Sequence, residues 1–113
     1  MLLAIKMANI SELSDLNLRV GKIIEVEEIS TRKPMYKLTI DLGELGTRGI
    51  IAGIKPYYSR EALLNKTVIV VADLEPKKIG EHISEGMVLA AEAGEKVLLL
   101  TIDGDLPPGS KVR

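Results

Sequence analysis

The sequence predicts an all-β domain whose strands curl into a small barrel, and three observations carry that prediction. The apolar residues are almost all aliphatic: Phe and Trp are absent and the aromatics are Tyr36, Tyr57 and Tyr58. A core rich in Ile and Val favours the pleated sheet, where β-branched side chains pack well. Short alternating apolar runs recur along the chain between Gly, Pro, Asn and Asp punctuation, the pattern of half-buried strands. Finally, 113 residues make one ordinary domain, and at 46% hydrophobic and 27% charged the chain can bury a core.

Near the N-terminus, residues 11–16 can form one helical turn. Residues 18–29 read as the first strand, with Leu18, Val20, Ile24 and Val26 on one face and Arg19, Glu25 and Glu27 on the other. Gly21 interrupts it, as at a bulge or bend where a strand curls. Residues 35–42 are the second strand: Tyr36, Leu38, Ile40 and Leu42 alternate with Lys37, Thr39 and Asp41, which puts Tyr36 in the core. A turn at residues 43–46 leads to a short apolar third strand at 50–54. Residues 56–64 read as a short helix. Ser59 can accept a bond from an orphan N–H, Glu61 suits the positive end of the dipole, and Asn65 is a stop.

Residues 67–72 are a continuous β-branched run, hence a buried strand. Residues 87–91 and 96–102 are two more, joined across Glu92-Ala93-Gly94-Glu95 like a hairpin. Three strands, a short helix after strand three, and three more strands match an OB-fold barrel with N- and C-terminal extensions. An SH3-like barrel or a β-sandwich would match the strands but not the place of the helix. The expected organisation is a single domain over residues 1–113, with residues 1–9 an extension of unassigned role.

Charge is nearly balanced overall, with 15 basic and 16 acidic residues, but it is unevenly placed. Residues 30–60 hold six basic residues (Arg32, Lys33, Lys37, Arg48, Lys55 and Arg60) against Asp41 and Glu44. Residues 80–105 hold six acidic residues against Lys96. A basic block on one flank of a barrel can track a phosphate backbone, and Lys77-Lys78 extends it. Arg32-Lys33 falls in the turn between strands one and two, a loop that borders the ligand face of OB barrels.

Catalysis is not expected. His82 is the single histidine, without a second His or any Cys at metal-ligand spacing, and reads as a solvated loop residue. There is no nucleophile elbow and no Lys-Ser/Thr phosphate loop. Adjacent carboxylates such as Glu27-Glu28 point to opposite faces of a strand. No cofactor and no metal are expected. No apolar run reaches the ~18 residues of a membrane helix, and the N-terminus is too short for a signal h-region, so the cytoplasm is the expected compartment.

Six segments in order resemble the tRNA-binding domain found free-standing, and at the C-terminus or as the β subunit of methionyl-tRNA synthetase. They are Leu18-Arg19-Val20-Gly21-Lys22-Ile23, Leu42-Gly43, Ile51-Ala52-Gly53-Ile54, Leu74-Glu75-Pro76-Lys77-Lys78-Ile79, Ser84-Glu85-Gly86-Met87 and Leu106-Pro107-Pro108-Gly109-Ser110-Lys111-Val112. The same module is similar to the endothelial-monocyte-activating cytokine domain. The resemblance implies an OB fold, a homodimer, tRNA bound by shape rather than sequence, and no catalysis, and it makes a methionyl-tRNA synthetase catalytic subunit a candidate partner. It also makes Ser84 and Met87 candidates for tRNA contact. A Ser hydroxyl can bond a phosphate or a 2′-OH, and a thioether can lie against a base without demanding a sequence. The expected nucleic-acid-binding set is therefore Arg32, Lys33, Lys37, Lys55, Lys77, Lys78, Ser84 and Met87.

One segment departs from the synthetase pattern. Thr31-Arg32-Lys33-Pro34-Met35-Tyr36 stands where that family has Asn-Ala-Asp-Lys-Leu-Tyr, and looks more like the export chaperone CsaA, a sister family of the same fold. Ile51-Ala52-Gly53-Ile54 and Ser84-Glu85-Gly86-Met87 favour the synthetase type, since CsaA lacks the Gly-Met pair. The alternatives to a tRNA-binding module are thus a CsaA-like chaperone for unfolded polypeptides and a structural homodimer that anchors another protein. Dimerisation has its own sequence signal: Leu98-Leu99-Leu100 cannot all face inward on a strand, and Pro107-Pro108 leaves in an extended form suited to crossing an interface.

Overall fold

The structure, a computed structural model, describes residues 6–113. The expected N-terminal extension lies partly outside the described residues. In chain order the elements are α1 (Ile10–Asp15), β1 (Leu18–Ser30), β2 (Pro34–Asp41), a 3-10 turn (Gly43–Leu45), β3 (Thr47–Ala52), α2 (Arg60–Leu63), β4 (Thr67–Val71), β5 (Lys77–Ile79), β6 (His82–Ser84), β7 (Met87–Val88), β8 (Ala90–Ala93) and β9 (Lys96–Leu99). Five strands form an antiparallel sheet in the order β3-β2-β1-β4-β7, and β5-β6 and β8-β9 are separate hairpins. The expected all-β architecture is present, with the helix after the third strand.

β1 is long enough to serve two neighbours. Its first half pairs with β4, from Leu18 opposite Val71 to Lys22 opposite Thr67. Its second half pairs with β2, from Lys22 opposite Asp41 to Ser30 opposite Pro34. The register slips between Ile23 and Glu25, and such a slip bends and twists the strand. It also changes which residues face inward. Val20, Ile23, Val26 and Ile29 are buried, whereas Ile24, expected inside, is 40% exposed. Gly21 is not the bulge. It is buried beneath β2 and β4, where a Cβ would sit 2.6 Å from Ile40 Cγ2 and 3.1 Å from Val70 Cγ2. The glycine lets the strand lie close against its neighbours.

β2 keeps strict alternation, and Tyr36, Leu38, Ile40 and Leu42 are all buried. The Tyr36 hydroxyl is satisfied by donating to the Tyr58 carbonyl at 2.8 Å. The core joins these residues to Ile50, Leu63, Val68, Val70 and Val88. The helix expected over 56–64 is shorter. Tyr57 and Tyr58 both donate their N–H to the Ile54 carbonyl in a turn. α2 then starts at the Ser59 cap, whose hydroxyl accepts from the Ala62 N–H at 3.2 Å. Leu63 plugs the core, and Asn65, at a φ of 67°, ends the helix.

Two expectations near the C-terminal half are corrected. The segment around Lys77 and His82 is a hairpin: Lys77 faces Ser84, Lys78 faces Ile83 and Ile79 faces His82. His82 is therefore a half-buried strand residue rather than part of a solvated loop. The strand expected over 87–91 divides at Leu89 into β7 and β8, and the one over 96–102 stops at Leu99. Leu99 packs on the core while Leu98 is 61% exposed.

The C-terminal segment returns along the start of β1. Gly109 N–H donates to the Val20 carbonyl at 2.7 Å, Val20 N–H to the Ser110 carbonyl at 2.8 Å, and Val112 N–H to the Leu18 carbonyl at 3.0 Å. Where it crosses the 3-10 turn, a Cβ on Gly43 would strike the Pro108 carbonyl and one on Gly109 the Leu42 carbonyl.

Candidate nucleic-acid interface

The barrel closes between β3 and the stretch from β6 to β7, and the closure is built by Ser84 and Glu85. The Ser84 hydroxyl accepts from the Ile51 N–H at 2.9 Å and lies 3.3 Å from the Gly86 carbonyl, to which it can donate. Glu85 N–H donates to the Gly49 carbonyl at 2.8 Å, and Glu85 Oε1 accepts from the Gly49 N–H at 3.2 Å. Side chains thus stand in where two strand ends do not form a ladder, so the backbone groups at the seam keep partners, as a packed interior requires. Ser84 is 5% exposed. Its hydroxyl faces the seam, not solvent, and its work is to fix the bend from which Met87 projects, 55% exposed.

Ser84→Ala is expected to cost about 1–3 kcal/mol, because the Ile51 N–H would be buried without an acceptor. Met87→Ala, at an exposed site, is expected to leave the denaturation midpoint nearly unchanged. Urea denaturation of both variants checks this; equal midpoints would return the Ser84 hydroxyl to the candidate contact surface.

The expected cations fall into three places. Arg32 and Lys33 are exposed in the β1–β2 turn, and Lys55 follows β3 at the same end of the sheet. Two adjoining grooves sit there. One, of about 550 Å³, is lined by Lys33, Pro34, Met35, Gly53, Lys55, Pro56 and Tyr57. The other, of about 540 Å³, runs from Arg32, Lys33 and Met35 to Ile79 and Gly80 at the tip of the β5–β6 hairpin. Lys77 and Lys78 are exposed on that hairpin, near but outside the grooves. Lys37 is half-buried in mid-strand, opposite Glu27 and Ile51. Its Cε and the Glu85 carboxylate both lie over Gly49.

Glu85 therefore brings one charge of the acidic block into the basic one. Among the described residues one ion pair forms, Lys55 Nζ to Glu28 Oε2 at 3.6 Å, with both side chains substantially exposed. Such surface pairs contribute little and exchange readily, so Lys55 remains available to an anion. No carboxylate lines either groove among the described residues. Tyr57 and Met35 were not in the expected set. Tyr57 is 44% exposed, whereas its neighbour Tyr58 turns inward, where its hydroxyl accepts from the Leu99 N–H at 2.9 Å. Alternation alone does not distinguish the two, because both lie in the turn after Ile54.

The family model described as "Putative tRNA binding domain" matches residues 18–111. The chain belongs to this family. It is 49% identical over 106 residues to a methionine–tRNA ligase of Methanocaldococcus jannaschii, covering 93% of this chain and 16% of the ligase. A methionine–tRNA ligase of Thermotoga maritima is 42% identical over 103 residues, covering 91% of this chain and again 16% of the ligase. The chain thus spans a small part of the length of the curated relatives it matches. Among solved structures, the chaperone CsaA of Bacillus anthracis superposes with a TM-score of 0.89 at 33% identity, covering 96% of this chain and all of that one. A MetRS-related protein of Pyrococcus horikoshii gives 0.86 at 31% identity, covering 96% of this chain and all of that one.

For this member of the tRNA-binding family, most of the segments that carry the likeness are architectural. Ile51-Ala52-Gly53-Ile54 and Ser84-Glu85-Gly86-Met87 hold or flank the closing seam, and Leu42-Gly43 and Leu106 onward make the C-terminal crossing. Arg32, Lys33, Lys55 and Tyr57 lie outside those segments. The basic rim thus adds Arg32, Lys33, Lys55 and Tyr57 to residues that the family segments supply, Gly53 in one groove and Ile79 in the other. Among the described residues no group of three His, Cys, Asp or Glu could hold a metal, and the family model that matches is described as a binding domain.

Proposed function

We propose that this chain is a non-catalytic tRNA-binding module that holds tRNA by its shape and phosphates, acting as a homodimer, either alone or beside a methionyl-tRNA synthetase catalytic subunit in the cytoplasm. The observation that carries this reading is the pair of grooves at one barrel end, rimmed by Arg32, Lys33 and Lys55 with no carboxylate among their described lining residues. A folded tRNA presents phosphates at fixed spacing, so a stiff surface with fixed cations prefers it to flexible RNA without reading bases. Lys77 and Lys78 extend the surface along the adjacent hairpin, Lys37 and Met87 lie toward the seam, and Ser84 positions Met87.

Two apolar surfaces support a two-copy assembly. Ile10, Leu13, Leu18 and Val112 line a groove of about 510 Å³ between α1 and the C-terminal segment, and α1 buries no residue of its own. Leu98 adds an exposed apolar side chain on β9. The same apolar groove, with the likeness to CsaA, favours the second reading, a chaperone for unfolded polypeptide.

A gel shift with total tRNA decides between them. Complexes should survive competition by unstructured RNA and by an unfolded polypeptide, and weaken with salt. Displacement by polypeptide, with no tRNA complex, would establish the chaperone instead. Sedimentation of the free protein at micromolar concentration should give a dimer; a monomer removes that part.

A further inference from the structure

We infer that the groove between Tyr57 and Met35 is a nucleobase subsite: an unpaired base of bound RNA stacks on Tyr57 while its flanking phosphates lie on Lys33 and Lys55. It rests on the RNA-binding function proposed above and adds to it a contact with bases, not only with backbone. Its apolar lining is made by Pro34, Met35 and Pro56, with Gly53 adding no side chain. At about 550 Å³ the groove is in the range of small-ligand sites, about 300–1,000 Å³.

Its polar side chains are Lys33, Lys55 and Tyr57, and the Lys55 ammonium rests 3.6 Å from the exposed Glu28 carboxylate, a surface pair that an anion can displace. A flat ring that shares a groove with two cations complements a nucleotide, in which a π-face lies beside phosphates. An unfolded peptide carries no such paired anions, and the neighbouring groove adds Arg32 on the same side. Other grooves offer different chemistry: the one over Ile24 and Leu64 is bordered by Glu25, Glu27 and Glu28. Tyr57 is the aromatic ring free for this work, because Tyr36 is in the core and Tyr58 is tied to Leu99.

The test uses the full chain, a tRNA transcript and a uridine decamer carrying one 2-aminopurine. Wild type should quench the 2-aminopurine. Tyr57→Ala should weaken decamer binding by about 5- to 150-fold, the loss expected for one stacked base, and abolish the quench. Its salt slope should not change, because no charge is removed. Tyr57→Phe, which keeps the ring, should behave as wild type and guards against a folding defect. Unchanged decamer affinity and quenching in Tyr57→Ala, with tRNA still bound, overturns the subsite but leaves the tRNA-binding reading standing. No binding of either RNA by wild type overturns both. An unfolded polypeptide that binds wild type but not Tyr57→Ala, while both bind the RNAs equally, assigns the groove to peptide and overturns the subsite.

Discussion

Replacing Arg32, Lys33 and Lys55 together with alanine is expected to weaken tRNA binding severely and flatten its dependence on salt. Each phosphate contact releases counterions from the RNA, so the slope of log affinity against log salt should fall by roughly one unit per cation removed, about three in all. The same release accounts for about tenfold in affinity per contact near 0.1 M salt. Stability should hardly change, since Arg32 and Lys33 are exposed and the Lys55–Glu28 pair is a surface one. That separates lost contact from lost fold, and a thermal melt beside the filter-binding titration reads both. Lys77→Ala with Lys78→Ala should take a further one to two units from the slope, roughly one per phosphate contact; an unchanged slope would remove that hairpin from the interface. A triple variant with wild-type slope would remove the grooves themselves.

The different roles of these cations explain which parts of the site could be read from residues alone. Charge is visible in a sequence, and so is a turn between two alternating runs, so Arg32 and Lys33 were legible as an exposed basic pair in the β1–β2 turn. Their meeting with Lys55 depends on how β2 and β3 end at one edge, which pairing sets and composition does not. Tyr57 escaped for a local reason: in the turn after Ile54 neither the strand period nor the helix period applies, so nothing says which of two adjacent tyrosines turns out. Ser84 shows the opposite failure. The family motif marked it for ligand contact, but its buried hydroxyl holds the Ile51 N–H across the barrel seam.

The fold was legible wherever alternation ran unbroken, as along β2. It misled at β1, where the slip between Ile23 and Glu25 exchanges the inward residue from Ile24 to Ile23. One residue of irregularity turns a side chain from one face of the sheet to the other, and no side chain there announces it. The β5–β6 hairpin was missed because strands of three residues are too short to show a period.

Gly109→Ala is expected to destabilise the chain strongly, and the two halves of the effect can be measured apart. Gly109 has a φ of +91°, a region that costs an L-residue about 1–2 kcal/mol. Its Cβ would also meet the Leu42 carbonyl, a backbone atom that cannot turn aside as a side chain can. Gly43 presents the mirror situation, with its Cβ against the Pro108 carbonyl, so neither chain can retreat from the other at this crossing. Gly94→Ala supplies the reference: its φ is +59° and nothing lies within 4 Å of the added Cβ, so it carries the backbone cost alone.

Gly94→Ala should therefore lower the thermal midpoint by about 4 °C, and Gly109→Ala by roughly 10 °C or more. Hydrogen exchange locates the damage. The bonds from Gly109 to Val20, from Val20 to Ser110 and from Val112 to Leu18 hold the C-terminal segment on β1, so the Val20 and Val112 amides should lose protection while those of β2 and β3 keep theirs at temperatures below the melt. Because the released segment also forms one wall of the apolar groove with α1, the same variant should shift the dimer proposed above toward the monomer in sedimentation equilibrium. Equal midpoints for Gly94→Ala and Gly109→Ala would show that the crossing gives way without cost, and the C-terminal segment would then be a loose strand rather than the clasp of the barrel.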